Sequence, residues 1–309
     1  MKTAAVVVHF GPRSATDRAL RALAETAPEA AVTVVDNAGD LRREELPAGV
    51  RLLCPGRNLG YGAACNLAAK GAAADFLLFL NNDVELQPGA LPALEAVLGS
   101  PGAAAAVPRL LDSAGRPVPS IFRPPAPRRV LFEALFLPRL LPGIPFFHGH
   151  HTVLTAHDRP RDVETASGAA ILVRRGAFER IGGFDEDFFF YAEESDLFAR
   201  LRLAGGRVVF EPAARAVHHG GLASAAVPQA ELDRRLHAGL CLYARKHHGA
   251  RGERATARAL RLGARLRLWI AHLQPGQRGG ERLLGDRREG GSGESVELAA
   301  HGMAGRVTG

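Results

Sequence analysis

The chain has 309 residues, 47% hydrophobic and 23% charged, which is enough apolar material for a sizeable core and excludes a fibrous or wholly disordered protein. Lys and Arg outnumber Asp and Glu by 39 to 32, and many arginines fall beyond Arg234, so the net charge of +7 argues for a basic C-terminal segment and against a nucleic-acid-reading face. Cys54, Cys65 and Cys241 form no Cys-x-x-Cys pair, which argues against a disulfide framework and a cysteine zinc site and fits a reducing cytoplasm.

Residues 4–8 are apolar and end at Gly11-Pro12 without a small-residue cleavage pattern, which predicts a strand and not a signal peptide. Residues 14–26 have helical period with Ser14 as N-cap; 31–35 and 51–54 read as strands and 62–70 as a helix. Residues 76–80 form a continuous apolar strand, 88–98 a helix with Pro88 at its start, and 103–107 another strand. Such βαβ alternation predicts an α/β fold: a Rossmann-like, mixed but mainly parallel sheet with helices on both faces. Between 112 and 161 the period fails in a proline-rich excursion carrying His148, His150 and His151, read as a solvated loop in preference to a metal site. Regular order returns with a strand over 167–173 and a short helix over 177–181. Residues 230–247 predict a helix, and in a second one Arg254, Arg258, Arg261 and Arg265 share a face; from 274 onward the pattern is that of a disordered tail. No apolar run reaches the length of a spanning helix.

In parallel sheets ligands bind beyond the carboxyl ends of strands, and polar residues gather there: Asp36-Asn37, Arg57-Asn58 and Asn81-Asn82-Asp83. A second acidic cluster, Glu193-Glu194-Ser195-Asp196, follows Gly182-Gly183-Phe184-Asp185-Glu186. Carboxylates beside buried elements are costly unless they are paired, bound to metal or at a cleft edge. Asp196 and Arg200, at i and i+4, are expected to pair with each other.

Seven motifs occur in order: Val34-Val35-Asp36-Asn37; Asn58 through Gly60 and Gly62 to Asn66; Leu80-Asn81-Asn82-Asp83; Ser167-Gly168-Ala169; Gly182 to Glu186 with Tyr191; Glu193 to Leu197 with Arg200; and Pro212 to Gly221 with His218 and His219. Over roughly residues 3–225 this ordered set resembles the family 2 inverting glycosyltransferases of the GT-A fold, in particular their bacterial rhamnosyltransferase-like branch.

The resemblance implies a transferase domain over 1–225, with a nucleotide-sugar half (1–110), the excursion (112–161) and an acceptor half (166–225), followed by a helical extension (226–273) and a tail (274–309). It implies a nucleotide diphosphate sugar donor met by Asp36, Asn58, Gly60, Asn66, Asn81, Asn82 and Asp83, and an acceptor site of Gly168, Asp185, Glu186 and Tyr191. Asp83 matches the last Asp of the family's Asp-x-Asp motif and, with His218, is expected to hold Mg2+ or Mn2+. Asn81 stands where the first Asp is usual and supplies no charge. Glu194 is expected to act as general base, with Glu193 as the alternative, where relatives usually carry Asp. Asp185 and Glu186 equally fit a loop-capping role. The acceptor is a glycan or a lipid-linked sugar. Residues 130–147 and the basic helix either rest on the inner face of a membrane or pack on the domain. A transferase fold that binds sugar without efficient transfer is the competing reading.

Overall fold

The computed structural model describes residues 1–151, 158–221 and 227–273, so the expected tail over 274–309 lies outside the described residues. The chain opens with β1 (Thr3–His9), α1 (Arg13–Thr26), β2 (Ala31–Asp36), β3 (Arg51–Leu53) and α2 (Tyr61–Ala69). It continues with β4 (Phe76–Asn81), β5 (Val84–Leu86), α3 (Ala90–Leu98) and β6 (Ala103–Leu111). The middle segment holds β7 (Ile121–Phe122), α4 (Pro127–Ala134), α5 (Leu137–Leu140), β8 (Arg161–Asp162) and β9 (Thr165–Ala166). Then come β10 (Ala170–Arg174), α6 (Arg175–Arg180), α7 (Glu193–Leu203), β11 (Arg207–His218) and α8 (Gln229–Leu273).

Strands run in the order β3-β2-β1-β4-β10-β6-β11-β5, with β8 added on β11. β1 is parallel to β2 and β4, β2 to β3, and β6 to β11, whereas β10 lies antiparallel between β4 and β6. The expected mixed, mainly parallel sheet is therefore present. Side chains of a strand alternate between its faces, so each central strand feeds two cores. Ala5, Val7, Phe76, Leu78 and Leu80 pack with Leu20 and Leu23 of α1 and Leu94 of α3. Val6, Val8, Leu77 and Phe79 pack with Ala64 of α2, Phe178 of α6 and Phe198 of α7. Each such buried Leu or Phe contributes roughly 1.5–3 kcal/mol.

Three local expectations are corrected. Ser14 does not cap α1: Pro12 takes the cap position with extended backbone, and no side chain bonds the first turn. Helix α3 starts at Ala90, because Gly89 at φ 81° separates it from Pro88. The middle segment is not wholly irregular: Pro127 starts α4, which buries Val130 and packs it on Leu240 and Ala259 of α8. Small residues make that packing close. A Cβ on Gly263 of α8 would come within 2.9 Å of the Ala134 side chain. The two helices expected after residue 230 are present, meeting at a kink at Gly249, whose φ of 68° and ψ of −175° are not helical. Arg254, Arg258, Arg261 and Arg265 all face outward, and no helix among the described residues is long and apolar enough to cross a membrane.

Candidate functional site

The parallel registers His9 with Asp36 and Val8 with Asn81 bring the carboxyl ends of β1, β2 and β4 level. Beyond them lies a cleft of about 320 Å³. Of the residues singled out from sequence, Asn58, Gly60, Asn81, Asn82, Asp83, Gly168, Tyr191, Glu193, Glu194 and His218 line it. Asp36, Asn66, Asp185 and Glu186 do not.

Asp36 is buried, and its carboxylate accepts the backbone N–H groups of Ala38, Gly39 and Leu41 at 3.0, 2.7 and 2.9 Å. It shapes the loop after β2. Its neighbour Asn37, placed by sequence at the same strand end but given no role there, lines the cleft and donates through Nδ2 to the Gly60 carbonyl at 3.0 Å. Gly60 has φ 81°, and a Cβ there would run into the Phe189 carbonyl, so only glycine lets these two loops touch.

Asn82 braces the floor through Nδ2, which donates to the Phe10 carbonyl and to Thr16 Oγ1, both at 3.2 Å. Asp83 is buried, and His218 Nε2 stands 3.4 Å from its Oδ1. Burial pushes the Asp83 carboxyl upward, but the facing His218, with His219 beyond it, more than offsets that and holds it below the usual range. The two histidines are not equivalent: His219 turns away to Glu85 at 2.7 Å and Ser113 Oγ at 3.1 Å.

The acidic pair opens α7 in an unusual way. Tyr191 and Ala192, neither a glycine, both adopt left-handed backbone at φ 72° and 70°. Such conformations cost on the order of 1–3 kcal/mol each. Helix α8 presses on this turn, since a Cβ on Gly239 would collide with the Tyr191 carbonyl. Glu193 points inward and is buried, with Oε2 unpartnered among the described residues. Burial and then the charge of Glu194 push it well above the ordinary carboxylate range. Glu194 is half-buried beside Gly168; burial raises it too, partly offset by its own backbone N–H, Ser195 and His150. Burial thus raises both neighbouring carboxyls.

The remaining predicted residues brace the site. Asn66 Nδ2 donates to the Phe184 carbonyl and to Glu186 Oε1, both at 2.9 Å, while its Oδ1 accepts the Phe184 N–H, also at 2.9 Å. Asp185 pairs with Lys246 of α8 at 2.5 Å and accepts the Asp187 N–H at 3.0 Å, which is the capping alternative. Asp196 and Arg200 pair at 2.6 Å as expected, and Lys246 and His247 join them at 2.8 and 2.9 Å.

Sequence reasoning missed part of the wall: Phe122 at the end of β7 and Arg123 after it, His150 and His151, and Arg235 of α8, which stacks 4.8 Å over Phe189. Phe190 also lines the cleft. No local pattern marks these residues, because their roles come from segments distant in sequence. His150 could have been traced only through Glu133, 2.6 Å away on α4, while His151 beside it is exposed.

Residues 5–182 match the family model described as glycosyl transferase family 2, and residues 149–220 match the model described as the N-terminal domain of galactosyltransferase. The N-acetylglucosaminyl-diphospho-decaprenol L-rhamnosyltransferase of Mycobacterium tuberculosis is 38% identical over 183 residues, a match covering 55% of this chain and 59% of that relative. Among solved structures, the mannosyltransferase PcManGT from Pyrobaculum calidifontis, in complex with GDP-Man and Mn2+, superposes with a TM-score of 0.53 at 17% identity, over 88% of this chain and 75% of that one. S. aureus TarS in complex with UDP-GlcNAc gives 0.50 at 18% identity, over 85% and 72%. Those two likenesses are of fold. With a cleft at the strand ends, the ordered motifs around it and a family model matching more than half its length, the chain belongs to glycosyl transferase family 2.

Proposed function

We propose that this chain catalyses inverting transfer of a sugar from a nucleotide diphosphate sugar to a hydroxyl of a glycan or lipid-linked acceptor. The observation that carries the reading is the electrostatic division of one cleft: Asp83 is held ionised beside His218, while Glu194 is pushed toward taking up a proton. In the transfer, the acceptor oxygen bonds to the anomeric carbon from the face opposite the leaving group. The bond from that carbon to the donor phosphate breaks, and the acceptor proton passes to a Glu194 carboxylate oxygen. We assign Asn81, Asn58 and the narrow turn at Gly60 to the donor, and Tyr191 with Gly168 to the acceptor, because all of them line the one cleft.

Asp83 and His218 offer an oxygen and a nitrogen 3.4 Å apart, long for a hydrogen bond and near the spacing of two ligands on one ion. The hard carboxylate suits Mg2+ or Mn2+, and Asn81 in place of a second carboxylate argues for modest affinity. When bound, such an ion supplies positive charge to the departing diphosphate. The name of the M. tuberculosis relative supports a diphosphate-linked lipid acceptor. A panel of nucleotide sugars, each with and without Mn2+ or Mg2+, tests the donor half by thermal unfolding. The true donor at about 100 times its Kd is expected to stabilise the fold by roughly 2.7 kcal/mol. Absence of a response to every nucleotide sugar would remove the reading.

We also propose a peripheral contact with an anionic bilayer. Leu140, Ile144 and Phe146 are exposed, Arg128 lies 5.0 Å over the Phe146 ring, and Leu268 and Trp269 protrude from α8 beside Arg265 and Arg267. The close approach of Gly263 to Ala134 brings these two groups to one region. Leu140→Glu with Phe146→Glu is expected to weaken co-sedimentation with anionic vesicles by at least about tenfold. Retained binding would reassign the patch to protein packing.

A further inference from the structure

We propose that Glu133, His150 and His151 form a second divalent-cation site, of zinc-binding type, at the wall of the cleft and separate from Asp83 and His218. One carboxylate oxygen and two imidazole nitrogens lie within 4.8 Å of one another. His150 Nδ1 stands 2.6 Å from Glu133 Oε2 without the alignment of a hydrogen bond, and His150 Nε2 has no partner among the described residues. Both ring nitrogens are shielded from solvent. Crowded but unaligned donor atoms suit a shared cation better than a shared proton. Tetrahedral ligands about 2.0–2.1 Å from zinc stand roughly 3.3 Å apart, a spacing that small side-chain rotations reach from atoms all within 4.8 Å of one another.

The surroundings hold this geometry. Glu133 projects from α4, and its other oxygen accepts the His151 N–H at 2.6 Å. Any Cβ at position 149 would collide with the Glu133 side chain, so Gly149 is what lets the histidine segment reach the carboxylate. The Arg123 N–H holds the His150 carbonyl at 3.0 Å, and the two imidazole rings lie 4.0 Å apart by their centroids. Two imidazoles and one carboxylate suit zinc, leaving a fourth position for water or an anionic ligand. Both histidines line the cleft, and the His150 charge already bears on Glu194, so a cation here stands on the acceptor side.

The test is zinc binding to the full chain, by metal analysis after dialysis and by competition with a chromophoric chelator, with circular dichroism as the folding control. One zinc ion is expected to remain in Asp83→Asn, and affinity to fall at least about tenfold in Glu133→Gln and in His151→Gln. His151 is exposed, so its variant is expected to fold even if replacement of Glu133 disturbs α4. Wild-type zinc affinity in folded His151→Gln, zinc lost only with Asp83→Asn, or no zinc on the wild-type chain would each overturn the proposal. The readout is binding alone, so its failure leaves the transferase reading intact.

Discussion

Replacing Glu194 with Gln is expected to lower kcat by about 10²–10⁴-fold, the usual worth of a positioned general base, while donor binding persists. Gln keeps the shape and the contact with Ser195 Oγ, 3.3 Å from Glu194 Oε1, but cannot accept the acceptor proton. Glu193→Gln is the decisive contrast. Glu193 is buried more deeply than Glu194, with Oε2 unpartnered among the described residues, so its variant is expected to keep measurable turnover. A dead Glu193 variant beside an active Glu194 variant would move the base to Glu193.

Two pH measurements sharpen this expectation. The acid limb of kcat in the wild type is expected to rise with unit slope to a midpoint above the ordinary Glu value of about 4.3, because burial raises Glu194. Stability follows the same shift. The unfolded chain ionises this carboxyl near its ordinary value and the folded chain only at higher pH. Glu194 therefore destabilises the fold progressively as pH rises between those two values, and fully above the folded one. Gln removes that cost, so at neutral pH the inactive variant is expected to melt no lower than the wild type. A lower Tm would mean that activity was lost through the fold and not through the base.

Asp83→Asn is expected to have the second large effect, abolishing the Mn2+ or Mg2+ response of donor binding and lowering turnover by on the order of 10²–10⁴-fold. An ion at a departing phosphate stabilises the transition state by several kcal/mol, and each 1.36 kcal/mol is tenfold in rate. Asn has the same shape but no charge, so β4 and the bonds of Asn82 are expected to survive. The pairing with His218 also has a pH signature. The Asp83 carboxyl lies below its unfolded value, so its contribution to stability is present above that value and lost as pH falls through the folded one. An unaltered metal response in Asp83→Asn would remove the ligand assignment. Metal-dependent donor binding without turnover in the wild type would instead favour a sugar-binding protein with impaired transfer.

Elements whose burial is complete on both faces were legible one by one. Phe76 to Leu80 and Ala4 to Val8 are continuous apolar runs because helices cover the sheet on each side. The helix α4 was not legible. It is short, begins in a proline-rich stretch, and shows its apolar face only against Leu240 and Ala259, far along the chain. The site divided in the same way. Asn81, Asp83, Glu194 and His218 could be singled out because each follows a strand or opens a helix at a sheet end. Asn66 and Glu186 could be singled out too, but not as each other's partners, and the same holds for Asp185 with Lys246.

The order of apolar runs, turn residues and motifs by itself determined the α/β layering, the family and the set of polar side chains beyond the strand ends. Only the tertiary structure decided which of those side chains face the cleft and in what charge state. Asp36 is turned to backbone amides, Glu193 is sunk beneath Glu194, and His150 is set against Glu133. Desolvation and pairing depend on distances of a few ångströms to groups dozens of residues away, and periodicity along the chain carries no record of those distances.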